Sequence, residues 1–261
     1  MSKRIIITLT VVLSMIMVTT LSAAELTGKQ IIEKVYNRKT PKDQQSILKM
    51  TLVNKQGKKR IRKIKQTSKD FGSVEKNIMF FMAPSDIKNT SFMNWSYTKP
   101  NKDDDQWIYL PAIKRVKRIS SDSKSDYFMG SDFTYDDLGD RHPDKDIHKL
   151  LREEKYKGED CYVVESKSKN KDYFYSKTVT WVIKGKWIGL KRDFYDEDGE
   201  LLKTLSVEKY EKMGDYYIIT NSVMNNIQKK HKTVMALSKI KIDKDVSEKK
   251  FTERMMKRGI K

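Results

Sequence analysis

Cysteine is almost missing: Cys161 stands alone in 261 residues. No intrachain disulfide is possible, so stability must come from packing, and an unpaired thiol reads as a small buried hydrophobe. Histidine is nearly as scarce, with three in all. There is no Gly-x-Ser-x-Gly elbow, no His-Glu-x-x-His helix, no phosphate-binding glycine loop and no cysteine pair, which excludes the enzyme classes built on those motifs. A hydrolase with a noncontiguous triad stays open. His142 and His148, with Asp140, Asp144 and Asp146, offer nitrogen and oxygen ligands, but a loop rich in Asp, His and Pro reads first as solvated. The turn Asp103-Asp104-Asp105 reads the same way, since a calcium site needs further spaced oxygens. No metal and no cofactor is expected.

Long apolar runs are equally rare, and one matters. Lys3 and Arg4 precede the run Ile5 to Leu21, and Ser22-Ala23-Ala24 follows with small residues. This is the pattern of a cleavable signal peptide over residues 1–24, and it implies export to the periplasm. The alternative is an uncleaved anchor, since a 17-residue run approaches the minimum for a membrane span. No cysteine follows the run, so the chain is not itself an acylated lipoprotein. Removing 24 of 261 residues leaves 237, long enough for one sizeable core, and residues 25–261 are read as one domain and a monomer.

Acidic charge is the minority sign, with 35 Asp and Glu against 54 Lys and Arg. The formal charge of +19 becomes +17 once Lys3 and Arg4 are removed. An exported basic protein meets anionic lipid headgroups and acidic polysaccharide rather than nucleic acid. Transient contact with an anionic membrane surface is therefore expected, although runs such as Lys58-Lys59-Arg60 beside a hairpin turn read as solvated.

The chain reads as one helix followed by many strands. Thr27 caps a helix whose apolar positions Ile31, Ile32, Val35 and Tyr36 recur at three- and four-residue spacing, ending near Asn37 to Pro41. Leu48, Met50 and Leu52 then alternate with polar residues before a turn at Asn54 to Gly57 and a return over Arg60 to Gln66. Further strands are expected at 74–82, 91–97, 106–110, 113–119, 161–168, 178–184, 187–195, 201–210, 216–224 and 233–242. The stretch 134–151 reads as a short helical turn and loop broken at Pro143, and a C-terminal helix runs from Ser247 through Phe251 to Met256. Such spacing without intervening helices is mainly β, an antiparallel sheet of ten or more strands, and a sheet that wide curls into an incomplete β-barrel.

Several central strands are apolar on both faces. Trp107 and Tyr109 oppose Ile108 and Leu110; Ile78, Phe80 and Met82 oppose Met79 and Phe81. The N-terminal helix can cover one face, and a concave other face can enclose a lipid tail under a lid. Plain core on both faces is the simpler alternative. Met79, Met82, Met93 and Met129 gather in this region, and flexible thioethers suit changing contents as well as irregular cores.

The words Trp-Ile-Tyr-Leu-Pro, Lys-Arg-Val-Lys-Arg-Ile, Phe-Met-Gly-Ser-Asp-Phe and Asp-Asp-Leu, in order from Trp107 to Leu138, resemble the outer-membrane lipoprotein-sorting family, LolA-like relatives of the periplasmic lipoprotein carrier. The match is closest from Asn77 to Leu138. Two departures stand out: Met93 replaces the usual leucine, and Tyr127 stands where a smaller residue is commoner. The resemblance implies an incomplete barrel wrapped around helices, with a hydrophobic cavity for acyl chains. It places Phe80, Met82, Phe92, Met93, Trp95, Trp107, Tyr109, Phe128, Met129, Phe133 and Leu138 near that cavity. Arg115 and Arg118 become candidates for headgroup contact or for lid ion pairs with Asp132, Asp136 and Asp137. The implied activity is non-enzymatic carriage of lipid or lipoprotein acyl chains between envelope membranes. An RND-type lipid exporter and an outer-membrane acceptor are the expected partners. An adaptor of an envelope complex without ligand, and an envelope lipid or glycan hydrolase, are the two other readings the residues allow.

Overall fold

The computed structural model describes residues 25–259; the signal-peptide reading of residues 1–24 lies outside them. The chain runs α1 (Gly28–Tyr36), β1 (Asp43–Val53), β2 (Lys59–Asp70), β3 (Val74–Ala83), β4 (Ser91–Tyr97), β5 (Asp105–Leu110) and β6 (Arg115–Arg118). After a long connection come β7 (Asp146–Tyr156), β8 (Glu159–Ser168), β9 (Lys177–Ile183), β10 (Gly189–Tyr195), β11 (Leu201–Met213), β12 (Tyr216–Asn226), β13 (His231–Ile242) and α2 (Glu253–Arg258).

All thirteen strands form one antiparallel sheet in the order β6-β5-β4-β3-β2-β1-β13-β12-β11-β10-β9-β8-β7. The chain therefore lays down six strands outward from β1, leaps to the opposite free edge, and returns strand by strand until β13 pairs with β1. The sheet stays open, with β6 and β7 as its two unpaired edges. It is nevertheless curled, because residues of β3–β4 and of β8–β10 line the same cavity although they are far apart in strand order.

Alternation decides what each face carries. On the inner face, Leu48, Met50 and Leu52 of β1, Ile64 of β2, Met79 and Phe81 of β3 and Phe92 of β4 pack with Phe128 of the connection. The intervening residues Ile78, Phe80 and Met93 pack on the outer face with Val246, Phe251 and Met256 of the C-terminal segment. The outer cover of the central strands is thus the C-terminal segment rather than the N-terminal helix. Helix α1, held by a reciprocal Thr27–Gln30 capping box, seats Ile31 instead against Val164 and Val182 of β8 and β9. Among the described residues no helix is long and apolar enough to cross a membrane.

Strand β7 is the one element the pattern conceals. It occupies Asp146–Tyr156, where a turn and loop are expected through residue 151, because this edge strand alternates half-exposed with exposed positions and buries no residue fully. It lacks the apolar period that marks the other strands. The expected strand at 113–119 shortens to four residues, since Pro111 to Ile113 form a 3-10 turn and Lys114 takes a left-handed conformation. At the C-terminus the expected helix divides into a 3-10 turn at Glu248–Lys250 and α2, which Thr252 caps by accepting from Met255 N.

Candidate functional site

The connection from β6 to β7, residues 119–145, must travel from one free edge of the sheet to the other. It does so across the inner face. Gln106 of β5 donates to the Tyr135 carbonyl at 2.8 Å, and Arg62 of β2 donates to the Met129 carbonyl. On the far side Asn226 of β12 donates to the Tyr127 hydroxyl at 3.1 Å, and the Asp132 N–H donates to Thr233 Oγ1 of β13 at 2.9 Å. Short 3-10 turns at Phe128–Gly130 and Asp136–Leu138 give the segment little regular structure of its own. Its side chains are what fill the space. Phe128 is fully buried between Phe81 and Phe92. Met129, Tyr135 and Leu138 pack at the margin of the same cluster, while Phe133 joins Tyr175, Phe194 and Met224.

Buried charge pins this plug. Lys203 of β11, with no exposed side-chain surface, approaches Asp137 at 2.5 Å and donates to the Asp132 carbonyl at 3.0 Å. The rings of Tyr127, Tyr175 and Phe194 surround its ammonium at 5.2–5.7 Å. Asp137 also accepts from Thr134 N at 2.7 Å. Asp132 Oδ2 lies 2.7 Å from both His231 Nδ1 and Thr233 Oγ1, and Asp136 accepts from the Tyr173 hydroxyl at 2.6 Å. Burial together with the neighbouring carboxylates lifts the Tyr173 and Tyr175 hydroxyls well above the usual phenol range, so both remain protonated donors.

Beside the plug lies an open cavity of about 470 Å³, bounded by α1, β3–β4, β8–β10 and residues 136–143. Its walls are largely polar. Glu75 and Asp140 both reach it, and among the described residues neither carboxylate has an ion-pair partner. Glu75 is an exposed position of β3 that faces this open cavity. Lost bulk hydration, then repulsion from Asp140, Asp70 and Asp104, pushes its carboxyl up to about 7. The same desolvation, with Asp104 adding, raises Asp140 to about 6. Arg141, which also lines the cavity, is committed to Asp146 and stacks on Tyr173.

The residues named by sequence divide between the two faces. Phe92, Phe128, Met129, Phe133 and Leu138 meet on the inner side. Phe80, Met93, Trp95, Trp107 and Tyr109 belong to the outer cluster, and Met82 is half-buried near the end of β3. Arg115 and Arg118 are exposed on β6, where Arg118 pairs with Asp105. The carboxylates of Asp132, Asp136 and Asp137 bond instead to His231 and Thr233, to Tyr173 and to Lys203. Lys203 carries no local signal, since one lysine inside an alternating strand looks like any solvated one; nor do Glu75 and Asp140, which the fold alone brings together.

His148 Nδ1 lies 2.7 Å from Ser166 Oγ, and its Nε2 lies 2.8 Å from the Pro143 carbonyl. The pair ties the turn at residue 143 to β7 and β8. Among the described residues no group of three or more His, Cys, Asp or Glu is placed to hold a metal ion.

An open antiparallel half-barrel with its own chain laid across the concavity is the LolA-like architecture, and comparisons with known proteins agree. A family model described as "Uncharacterized protein" matches residues 73–258. An outer membrane lipoprotein-sorting protein domain from Vibrio parahaemolyticus is 35% identical with a TM-score of 0.83, covering 88% of this chain and 98% of that one. A DUF1329 family protein from Desulfovibrio piger is 32% identical, also with a TM-score of 0.83, over 88% and 97%. A LolA superfamily protein from Nitrosomonas europaea, 21% identical with a TM-score of 0.67 over 88% and 99%, shares the fold. No curated protein matches the chain. The chain belongs to the outer-membrane lipoprotein-sorting family and has the fold of the LolA superfamily protein.

Proposed function

We propose that this protein is an exported periplasmic carrier without enzymatic activity, which takes up the acyl chains of a lipid or lipoprotein on its inner face and passes them between membrane-associated partners. One observation carries the reading: the apolar inner surface of β1–β4 is covered by residues 127–138, a segment of short turns held to the sheet by point contacts rather than built into it. Withdrawal of Phe128, Met129 and Leu138 exposes a continuous apolar floor, and the polar cavity next to it is where the head of an amphiphile is accommodated. The 35% identity to a lipoprotein-sorting domain supports the same class of cargo. An RND-type exporter and an outer-membrane acceptor are the partners this role requires. In this reading Phe92 belongs to the acyl floor, while Phe128, Met129, Phe133 and Leu138 belong to the cover that cargo displaces.

Native mass spectrometry on protein purified without detergent tests it. Stoichiometric co-purifying lipid, or saturable uptake of a fluorescent fatty acid, is expected. Met235→Asp, a half-buried floor position of β13 opposite Met50 and shared by the two inner clusters, should abolish uptake. An empty wild type that ignores the probe, or full uptake by folded Met235→Asp, defeats the proposal.

A further inference from the structure

The outer face carries a second apolar site with a different electrostatic character. We propose that the outer surface of β1–β3, with the C-terminal segment lying on it, is a docking face for an anionic phospholipid leaflet. A groove of about 300 Å³ opens there between the sheet and α2. Thr67, Ile78 and Phe80 form its floor, Met255 stands beside them, and Lys65, Lys250 and Arg258 lie around it. No carboxylate lines the groove, and among the described residues none of these three cations is in an ion pair.

The surrounding sheet repeats the pattern. Arg62 reaches the inner plug, so alternation turns Ile61, Lys63 and Lys65 outward. Ile61 is 50% exposed. Lys63 lies directly opposite Lys49 across the β1–β2 ladder, and both are exposed. Lys69 lies directly opposite Lys76 across β2–β3, with Asp245 bridging Lys69 at 3.1 Å. Like charges placed directly opposite each other destabilise a sheet, and an anionic surface relieves that repulsion. Nucleic acid could supply the charge but has nothing to bury in an apolar groove. A phospholipid supplies both, its phosphate at the lysine and arginine tips and its chain against Ile78, Phe80 and Met255. This face is separate from the inner cavity and does not depend on cargo being carried there.

Sedimentation of the chain over residues 25–261 with vesicles separates the outcomes. Equimolar phosphatidylcholine and phosphatidylglycerol vesicles should bind the protein in a salt-dependent manner, and pure phosphatidylcholine vesicles should not. Lys65→Glu, Lys250→Glu and Arg258→Glu combined should lower partitioning about a hundredfold at low salt, and Met255→Asp should weaken the binding that survives at high salt. If the triple variant does not fold by circular dichroism, the single changes at Lys65 and Arg258 replace it, each expected to cost about fivefold. Equal binding to neutral vesicles, unchanged binding of the charge variants, or displacement by a DNA duplex at matched charge overturns the proposal. Fatty-acid uptake by the same variants reports the inner site independently.

Discussion

Replacing Lys203 by methionine should loosen the plug without disturbing the sheet. The ammonium has no exposed surface and its partner Asp137 only 5%, so the substitution leaves a carboxylate desolvated and without its cation. Removing one member of a buried pair costs about 3–5 kcal/mol, a large share of a domain stability of roughly 5–15 kcal/mol. Methionine fills the aliphatic path of the lysine, so little of the loss comes from a void. Because Lys203 joins β11 to residues 132 and 137, the loss should appear first as local opening. Hydrogen exchange should show residues 127–138 losing protection before the strands do. If that segment must leave for cargo to enter, weakening its closed state by about 3 kcal/mol raises the apparent affinity for a fatty acid by up to about a hundredfold. Adding Asp137→Asn should restore part of the protection, since no charge is then stranded. A folded Lys203→Met variant with unchanged protection over 127–138 and unchanged affinity would refute the view that this pair holds a movable cover.

Other perturbations test neighbouring parts of the structure. Phe128→Ala removes a fully buried ring packed on Phe81, Phe92 and Tyr135 and should cost about 3–5 kcal/mol in urea denaturation; a loss below about 1 kcal/mol would mean the plug is not packed as described. Glu75 has its carboxyl raised from 4.5 to about 7, so its neutral form is the one the fold favours. Its contribution is fully present below pH 4.5 and is lost as pH rises through about 7. Glu75→Gln should therefore flatten the melting temperature over that window and make the variant the more stable protein at pH 8. Gly28→Ala should dislodge α1, because a Cβ there meets the backbone of Leu150 and Lys149 at 2.7 Å, and a thermal melt should show the loss. An alanine that leaves the melt unchanged places α1 further from β7 than the structure does.

Most of the sheet was legible because its strands announce themselves by alternation and by turn residues. All twelve expected strands have counterparts, and the α1 cap falls at Thr27 as its spacing requires. Strand β7 was not, because an edge strand that buries no residue fully offers no apolar period to read. Two-faced hydrophobicity in β3–β5 was legible as a demand for two covers, but not which segment met which face. That assignment depends on the leap from β6 to β7, a matter of strand order rather than composition. The family words from Trp107 to Leu138 mark a real structural unit, yet they straddle both faces, with Trp107 and Tyr109 outside and Phe128 and Leu138 inside. Proximity in sequence therefore overstated proximity in space.

The plug also answers a physical problem that any carrier of this shape faces. An apolar concavity left vacant is unfavourable, because its lining forfeits contacts that nothing replaces, and a permanently filled one cannot accept cargo. Here five side chains of residues 128–138 fill the place that the proposed role gives to an acyl chain. At about 1.5–3 kcal/mol for each large side chain fully buried, they are worth roughly 8–15 kcal/mol at most. An acyl chain of about 15 carbons, at about 0.8 kcal/mol per methylene, brings about 12 kcal/mol. The two quantities are of the same size, so exchanging plug for cargo is close to neutral in apolar burial. The balance then rests on the polar anchors: Lys203 with Asp137, and Asp132 with His231 and Thr233. In the proposed carrier role, loading is then tuned by a few buried hydrogen bonds, and release needs no large input of energy. That argument predicts that lengthening the acyl chain strengthens binding by about 0.8 kcal/mol per carbon only until the floor vacated by Phe128, Met129 and Leu138 is filled. Calorimetry over a fatty-acid series should show that plateau, and affinity indifferent to chain length would show that cargo does not take the place of the plug.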